Sequence, residues 1–267
     1  PKPDLAKYSG KNVPESIAKN VPPIKRSGLS NVMPSHWEFK QHGESGIPVS
    51  DLLPYTAKHV DDLCVIRSVQ HRNPVHGPGE CVCLTGVASG ERPSIGAWST
   101  YALGSGNENL PSFMAMNIHS DGMQFPQRAG WSTGFLPSKH QGVVINPETG
   151  IQFTQLPKGT LKKRREQQLQ LLEFLNQQHR EGKLNSDALL ARIKAYEMTG
   201  RMQVAAPELF DWRTQETATT QQLYGIPEDD SHDTGVACLL GRRMVERGVR
   251  FVQIRVGGWD AHGNIEA

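Results

Sequence analysis

Apolar residues recur along the chain at two different spacings, which divide it into strands and helices. Short β-branched runs bounded by turn-forming residues predict buried strands, and apolar residues three or four apart predict amphipathic helices. Predicted strands are Leu63–Val69, Ser112–Ile118, Val143–Ile145 and Val249–Val256. Predicted helices are Val49–Val60, Gly79–Leu84, Ser94–Leu103, Leu161–Arg180, Asp187–Ala205 and Thr234–Gly248. This alternation indicates an α/β fold with a mainly parallel sheet and helices on both faces.

Two of the predicted helices follow each other without an intervening strand. We expect them to form a helical hairpin over residues 161–205, inserted into a single domain that spans residues 1–267. The first of them opens with four consecutive basic residues, 162–165, which have no interleaved aromatic residues. This run therefore indicates a solvated helix face rather than a nucleic-acid surface.

The composition of the chain limits the kinds of molecule that we expect it to bind. The 29 basic residues nearly balance the 27 acidic ones, so the chain lacks the concentrated basic field that nucleic acids require. No apolar stretch approaches the ~20 residues of a membrane span.

The four cysteines, Cys64, Cys81, Cys83 and Cys238, lie in apolar contexts without paired zinc-site spacing. We expect them to be small buried hydrophobic residues.

Ionisable side chains cluster after two of the predicted strands, where parallel α/β sheets bind their ligands. The loop from His71 to Glu80 contains two histidines, an arginine and a glutamate beside a predicted helix N-terminus. Such a set suits an anion or a metal, although a plain polar surface loop is an equal alternative.

The second cluster, Asp260-Ala261-His262, follows the last predicted strand through a Gly-Gly turn. A carboxylate and an imidazole two residues apart can both reach one cation, although a turn Asp and a solvated His are the alternative. A third group, His119–Gly122, is more typical of an Asp-Gly turn. The signatures of common serine hydrolases, nucleotide enzymes and zincins do not occur in the sequence.

Several short segments, in order from the first residue to the last, resemble the bacterial domain-of-unknown-function family 1501. They are Pro1-Lys2-Pro3, Lys7–Lys11, His59–Ser68, Leu84-Thr85-Gly86, Arg92–Gly96, Gly134–Pro137, Tyr196-Glu197, Met202-Gln203, Leu223-Tyr224-Gly225, Arg247–Gln253 and Gly257–Asn264.

The resemblance implies an alkaline-phosphatase-like fold, shared with metal-dependent phosphatases, sulfatases and phosphomutases. It also implies that the chain is an incomplete domain. Longer relatives carry a Ser-His-x-Asp segment before the Pro-Lys-Pro and a Gly-Glu-Phe-Gly-Arg-Thr-Pro loop after the Trp-Asp-x-His-Gly-Asn. Relatives often carry an export signal, so a periplasmic or extracellular location is expected for the full-length protein.

Sulfatases place their nucleophile in Cys-x-Pro-Ser-Arg-x-x-Leu-Leu-Thr-Gly, and this chain matches that pattern in part. Aligning Leu84-Thr85-Gly86 with its end puts His76 at the nucleophile and Pro78 at the proline. Gly79-Glu80 replaces the Ser-Arg, so formylglycine chemistry is not expected. His76 then acts directly as metal ligand or nucleophile, or another residue acts, or the chemistry is absent.

These observations predict one site at the carboxyl edge of the sheet. The expected roles are catalysis by His76, binding of a divalent metal (Zn, Ca, Mg or Mn) by Asp260, His262 and His71, and substrate binding by Arg72, Glu80 and Asn264. The expected function is metal-dependent hydrolysis of a small-molecule or glycan phosphate or sulfate ester, with the fragment itself inactive. The alternative is a binding or surface protein that kept the fold without the chemistry.

Overall fold

The structure, a computed structural model, describes residues 3–20, 31–70, 73, 75–118, 129–150, 162–181, 197–198, 200–202, 206–227 and 232–258. These residues belong to two compact units that divide between residues 74 and 75. In the described part of the chain, no helix combines the length and the apolar character needed to cross a membrane.

The N-terminal unit is built around a small antiparallel hairpin. Its strands are β1 (Phe39–His42) and β2 (Ile47–Ser50), in a register that pairs Phe39 with Ser50. The connecting turn is anchored by Asp61, whose carboxylate accepts the backbone N–H groups of Glu44 and Ser45 at 2.9 Å each. These two bonds stabilise the ionised carboxylate and hold the pKa of Asp61 below its ordinary value. The unit also contains α1 (Glu15–Ala18) and 3-10 helices at Pro3–Tyr8 and Thr56–Asp62.

The predicted helix over Val49–Val60 is wrong. Its first residues belong to β2, and helical structure starts only at Thr56, as a 3-10 turn. Pro54 lies inside this range and lacks the backbone N–H that a continuous helix needs. Gly43 and Gly46 adopt positive φ angles of 66° and 63° that allow a tight turn before β2. The turn chemistry of residues 43–46 therefore outweighs the helical spacing of the apolar residues.

The predicted strand over Leu63–Val69 is also not formed. The segment is irregular, and four of its apolar side chains are 45–75% exposed: Leu63, Val65, Ile66 and Val69. A strand needs a neighbour for its hydrogen-bond ladder, and within the described residues no other strand pairs with this segment. The strand expected to precede His71 and Arg72 is therefore absent from residues 63–70.

The C-terminal unit contains the larger sheet. Its strands are β3 (Phe113–Ile118), β4 (Val143–Ile145) and β5 (Phe251–Val256), parallel and in the order β4-β3-β5. Its helices are α2 (His76–Thr85), α3 (Ile95–Leu103), α4 (Lys162–Glu181), α5 (Trp212–Gln215), α6 (Ala218–Leu223) and α7 (His232–Glu246), with 3-10 turns at Ala129–Trp131 and Ser138–His140. Residues 206–210 are also helical. The α/β class and the parallel sheet are thus confirmed.

Helices cover both faces of this sheet. Successive strand residues point to opposite faces, so Met114 and Met116 share one face of β3 and Phe113 faces the other way. The methionine face packs in the main apolar core with Leu239 and Leu240 of α7. On the opposite face, α3 approaches so closely that a Cβ atom on Gly96 would lie 2.5 Å from the Phe113 ring. The predicted two-sided packing is therefore present.

A buried arginine ties α7 to the preceding segment. Arg243, whose side chain is 4% exposed, donates to Glu216 Oε1 at 2.6 Å and to the Leu209 carbonyl at 2.9 Å. Its Nη2 donates to Gln215 Oε1 and to the Glu208 carbonyl, so four of its five N–H donors are paired and the buried charge is compensated. Arg242 shares the same Glu216 oxygen at 2.6 Å. The two guanidinium groups hold the pKa of the Glu216 carboxyl below its ordinary value.

Of the two helices predicted to form the hairpin, the structure describes the first and only a few residues of the second. The first is present as α4, one residue offset from its predicted start. The second, at Asp187–Ala205, lies mostly outside the described residues, so the hairpin and the single-domain assignment stay predictions.

We expect Gly96→Ala to lower the free energy of unfolding by about 1–3 kcal/mol, the usual effect of overpacking a core. The added methyl group would meet the fully buried Phe113 ring, which has no free space to move into. Urea unfolding followed by circular dichroism measures the change. The control is Ser99→Ala at a half-buried position of the same helix, and an equal effect in both variants would contradict the tight α3–β3 contact.

We expect the ion pairs of Glu216 with Arg242 and Arg243 to make the free energy of unfolding depend on pH in the acid range. The folded-state pKa of Glu216 lies below its ordinary value of 4.5, so its stabilisation is complete above that value and is lost as the pH falls through the folded pKa. Glu216→Gln should cost about 1.5–3 kcal/mol at neutral pH, as for hydrogen bonds to charged groups, and should remove this part of the acid dependence. The control is Glu108→Gln, at an exposed carboxylate outside these ion pairs, and parallel pH curves for Glu216→Gln and the parent protein would contradict the assignment.

Candidate functional site

The helix that begins at His76 stands at the centre of the predicted site. Helix α2 starts three residues earlier than the sequence pattern predicted, since Pro78 occupies its first turn, where no backbone N–H is required. It ends at Gly86, whose φ of 78° is left-handed. His76 is thus the exposed first residue of a ten-residue helix, at the end where anions are favoured.

An ion pair fixes this helix to the carboxyl end of β5. Arg255 Nε donates to Glu80 Oε1 at 2.7 Å, and the two side chains are only 24% and 26% exposed. Arg255 is the second-last residue of β5. Residues four apart share one face of a helix, so His76 lies on the same face of α2 as Glu80. The first turn of α2 is therefore held near the end of the strand that precedes Asp260.

Polar side chains line the sheet beneath this ion pair. In the parallel register, Asn117 of β3 stands beside Arg255, and Gln253 lies two residues earlier on the same face of β5. Asn117 Oδ1 and Gln253 Oε1 are buried, and neither accepts a hydrogen bond from the described part of the chain. A buried amide oxygen without a donor costs free energy. This strip is therefore suited to accept hydrogen bonds or to support a cation.

The cysteines divide into one buried and three exposed residues. Cys81 on α2 is buried, and that burial raises the pKa of its thiol, with a further contribution from Glu80. The Cys81 thiol is therefore protonated at neutral pH and serves as an apolar packing group, as predicted. The prediction is wrong for Cys64, Cys83 and Cys238, which are exposed. An apolar sequence context does not ensure burial where a segment or helix face is left uncovered.

Among the predicted site residues, the structure describes His76 and Glu80 and places them one helical turn apart. The others lie outside the described residues: His71, Arg72, Asp260, His262 and Asn264. The turn-like group His119–Gly122 likewise lies outside them, apart from its preceding strand. Convergence of His76 with Asp260 and His262 therefore stays a prediction.

A family model described as a protein of unknown function, DUF1501, matches residues 1–267, the whole chain. The chain belongs to the DUF1501 family. The resemblance seen in its short sequence segments is thereby confirmed at the level of the family. No curated protein and no solved structure matches this DUF1501 chain.

Sequence reasoning missed three residues of the polar strip in this DUF1501 protein: Asn117, Gln253 and Arg255. The signal was available in β5, where Gln253 and Arg255 alternate with apolar residues at a spacing of two. Such alternation indicates a strand with one polar face. The prediction names Val249–Val256 as a strand without distinguishing its two faces.

We expect Glu80 and Arg255 to be energetically coupled. In a double-mutant cycle with Glu80→Gln and Arg255→Gln, the interaction free energy should be about 0.5–3 kcal/mol, the range for contacting residues. The free energy of urea unfolding of the four proteins gives this value. Glu108→Gln, at an exposed carboxylate of the same unit, is the control and should show no coupling to Arg255→Gln. Additive effects of Glu80→Gln and Arg255→Gln would contradict the anchoring of α2.

Proposed function

We propose that this DUF1501 chain is part of a metal-dependent hydrolase of phosphate or sulfate esters. In this proposal the hydrolase has an alkaline-phosphatase-like fold. The proposed site lies at the carboxyl edge of the β4-β3-β5 sheet. Asp260, His262 and His71 would hold a divalent metal, and Arg72, Glu80 and Asn264 would position the ester. A periplasmic or extracellular location of the full-length protein is part of the proposal.

The observation that carries this proposal is the ion pair between Glu80 and Arg255. Arg255 lies five residues before Asp260, and Glu80 lies one turn after His76. The 2.7 Å contact therefore joins the last residue of the His71–Glu80 segment to the strand that leads toward Asp260. Open parallel sheets bind their ligands at this edge.

The residues match the chemistry of ester hydrolysis. A divalent cation held by carboxylate and imidazole ligands polarises the ester oxygen and stabilises the charge that develops on it. The N-terminus of α2 favours an anionic substrate beside His76. Because Gly79-Glu80 replaces the Ser-Arg of sulfatases, the proposal assigns His76 to direct metal binding or nucleophilic attack.

A binding protein is the second candidate function, and α4 favours it. This 20-residue helix exposes a group of large apolar side chains, each 41–57% accessible: Leu171, Leu172, Phe174 and Leu175. Exposed apolar groups of this size are typical of surfaces that bind another protein. In this second function, α4 is the helix that contacts a partner protein, and the protein has no catalytic activity.

The experiment that separates the two functions compares the full-length protein with its His76→Ala, Asp260→Ala double variant. We expect the parent protein to contain stoichiometric metal and to hydrolyse 4-nitrophenyl phosphate or sulfate. The double variant should lose one equivalent of metal relative to the parent protein and about 100-fold or more of the turnover, since a catalytic metal supplies several kcal/mol of charge stabilisation. Elemental analysis and release of nitrophenol measure the two effects.

The control is the His59→Ala, Asp62→Ala double variant, which removes an exposed His–carboxylate pair 3.9 Å apart in the N-terminal unit. It should keep both the metal and the turnover. Absence of metal and of ester hydrolysis from the parent protein would contradict the hydrolase proposal and favour the binding protein.

A further inference from the structure

Three potential metal ligands from separate parts of the chain meet beyond the carboxyl end of β4. They are Glu148, His232 and Asp233, whose nearest ligand atoms all lie within 4.8 Å of one another. None of the three belongs to the site proposed above. Helix α7 packs on β5 and joins it through residues 247–250, so its first residues, His232 and Asp233, lie at the carboxyl edge of the sheet.

The backbone that carries Glu148 is held in a closed turn. Asn146 and Gly150 exchange two backbone hydrogen bonds, of 3.3 and 2.8 Å. Asn146 Oδ1 also accepts the backbone N–H groups of Glu148 and Thr149, at 2.8 and 2.9 Å. The position of Glu148 is thus set by the turn and does not depend on a ligand.

The orientation of His232 is set by a backbone carbonyl. His232 Nδ1 lies 2.8 Å from the Ile226 carbonyl oxygen. A carbonyl oxygen can only accept, so Nδ1 carries the proton. His232 Nε2 then faces Glu148 Oε1 at 3.5 Å. A histidine that donates one ring N–H to a carbonyl and offers the other nitrogen is the usual arrangement of a metal ligand.

The same geometry suits a cation between His232 and Glu148. With Nδ1 donating to the Ile226 carbonyl, the Nε2 lone pair of His232 and an oxygen of the Glu148 carboxylate face each other, and a metal ion between them would bind both. The separation of 3.5 Å is close to the ~3.4 Å between two ligands of tetrahedral zinc with bonds of about 2.1 Å. Asp233 supplies a third ligand atom within 4.8 Å, and its carboxylate adds negative charge that favours a divalent cation.

Arg213 occupies the other oxygen of Glu148. Its guanidinium donates to Oε2 at 3.0 Å and stacks on the Trp212 ring at 4.3 Å from the centroid. Glu148 Oε1 therefore remains directed at His232, which suits a monodentate ligand whose second oxygen is hydrogen-bonded. The nearby guanidinium charge will weaken the affinity for a cation without blocking the ligand atom.

We propose that Glu148, His232 and Asp233 bind one divalent cation of the zinc class. A set of one imidazole and two carboxylates selects zinc over magnesium or calcium, which prefer oxygen ligands alone. The Glu148 and His232 side chains are 44% and 35% exposed, so the ion can enter from solvent. Because this proposal rests only on the contacts of these residues, it stands or fails separately from the hydrolase site.

The test is a zinc titration of the full-length chain by calorimetry, repeated with cobalt to observe the ligand-field absorption of the bound ion. We expect Glu148→Gln and His232→Ala each to lose one equivalent of zinc relative to the parent protein, together with the cobalt absorption. The His76→Ala, Asp260→Ala variant should keep this equivalent. His59→Ala, at a histidine beside the single carboxylate of Asp62, is the matched control and should also keep it.

Circular dichroism of each variant separates loss of a ligand from loss of the fold, and Asp233→Asn supplies a second mild variant. An unchanged zinc stoichiometry in Glu148→Gln and His232→Ala would overturn the proposal. Binding only at millimolar zinc would likewise overturn it. Loss of zinc in the His76→Ala, Asp260→Ala variant alone would place the metal at the hydrolase site instead.

Discussion

Burial of β3 on both faces is the constraint on which the C-terminal unit depends. Five of its six residues are buried, with Met114 and Met116 against α7 and Phe113 against Gly96 of α3. A strand buried on both sides needs helices on both sides and neighbours that complete its hydrogen bonds. The parallel neighbours β4 and β5 meet the second need. The helices are α7, which lies between β4 and β5 in the chain, and α3, which precedes β3.

Parallel pairing also decides where polar groups gather. All three strands end at the same edge, so segments far apart in sequence become neighbours there. On the face covered by α2, the ion pair of Glu80 and Arg255 lies above Asn117 and Gln253. At the β4 end of the sheet, Glu148 meets the start of α7. One edge thus carries two groups of ionisable side chains, each held by contacts made outside the group.

The sequence predictions are most accurate for segments that pack in the core and least accurate for segments that are exposed. The bounds of strands β3, β4 and β5 and of helix α7 lie within two residues of the predicted ones, because buried apolar runs and a helical period reflect the core directly. Leu63–Val69 has the same composition and stays irregular and exposed. A β-branched run indicates a capacity for pairing, and it becomes a strand only where a partner is present. The hairpin of β1 and β2 was missed because its signal lies in the turn glycines and not in apolar periodicity.

The sequence by itself determined the α/β class, the strands of the larger sheet, the DUF1501 family and the presence of ionisable residues near His76. Those properties depend on local pattern and on short motifs. Only the tertiary structure decided that Glu80 is paired with Arg255 and that Glu148, His232 and Asp233 adjoin. Each contact joins residues 84 to 175 positions apart, apart from the neighbours His232 and Asp233. The register of parallel strands and the docking of helices on them fix such distances, and neither is encoded in the spacing of residues along the chain.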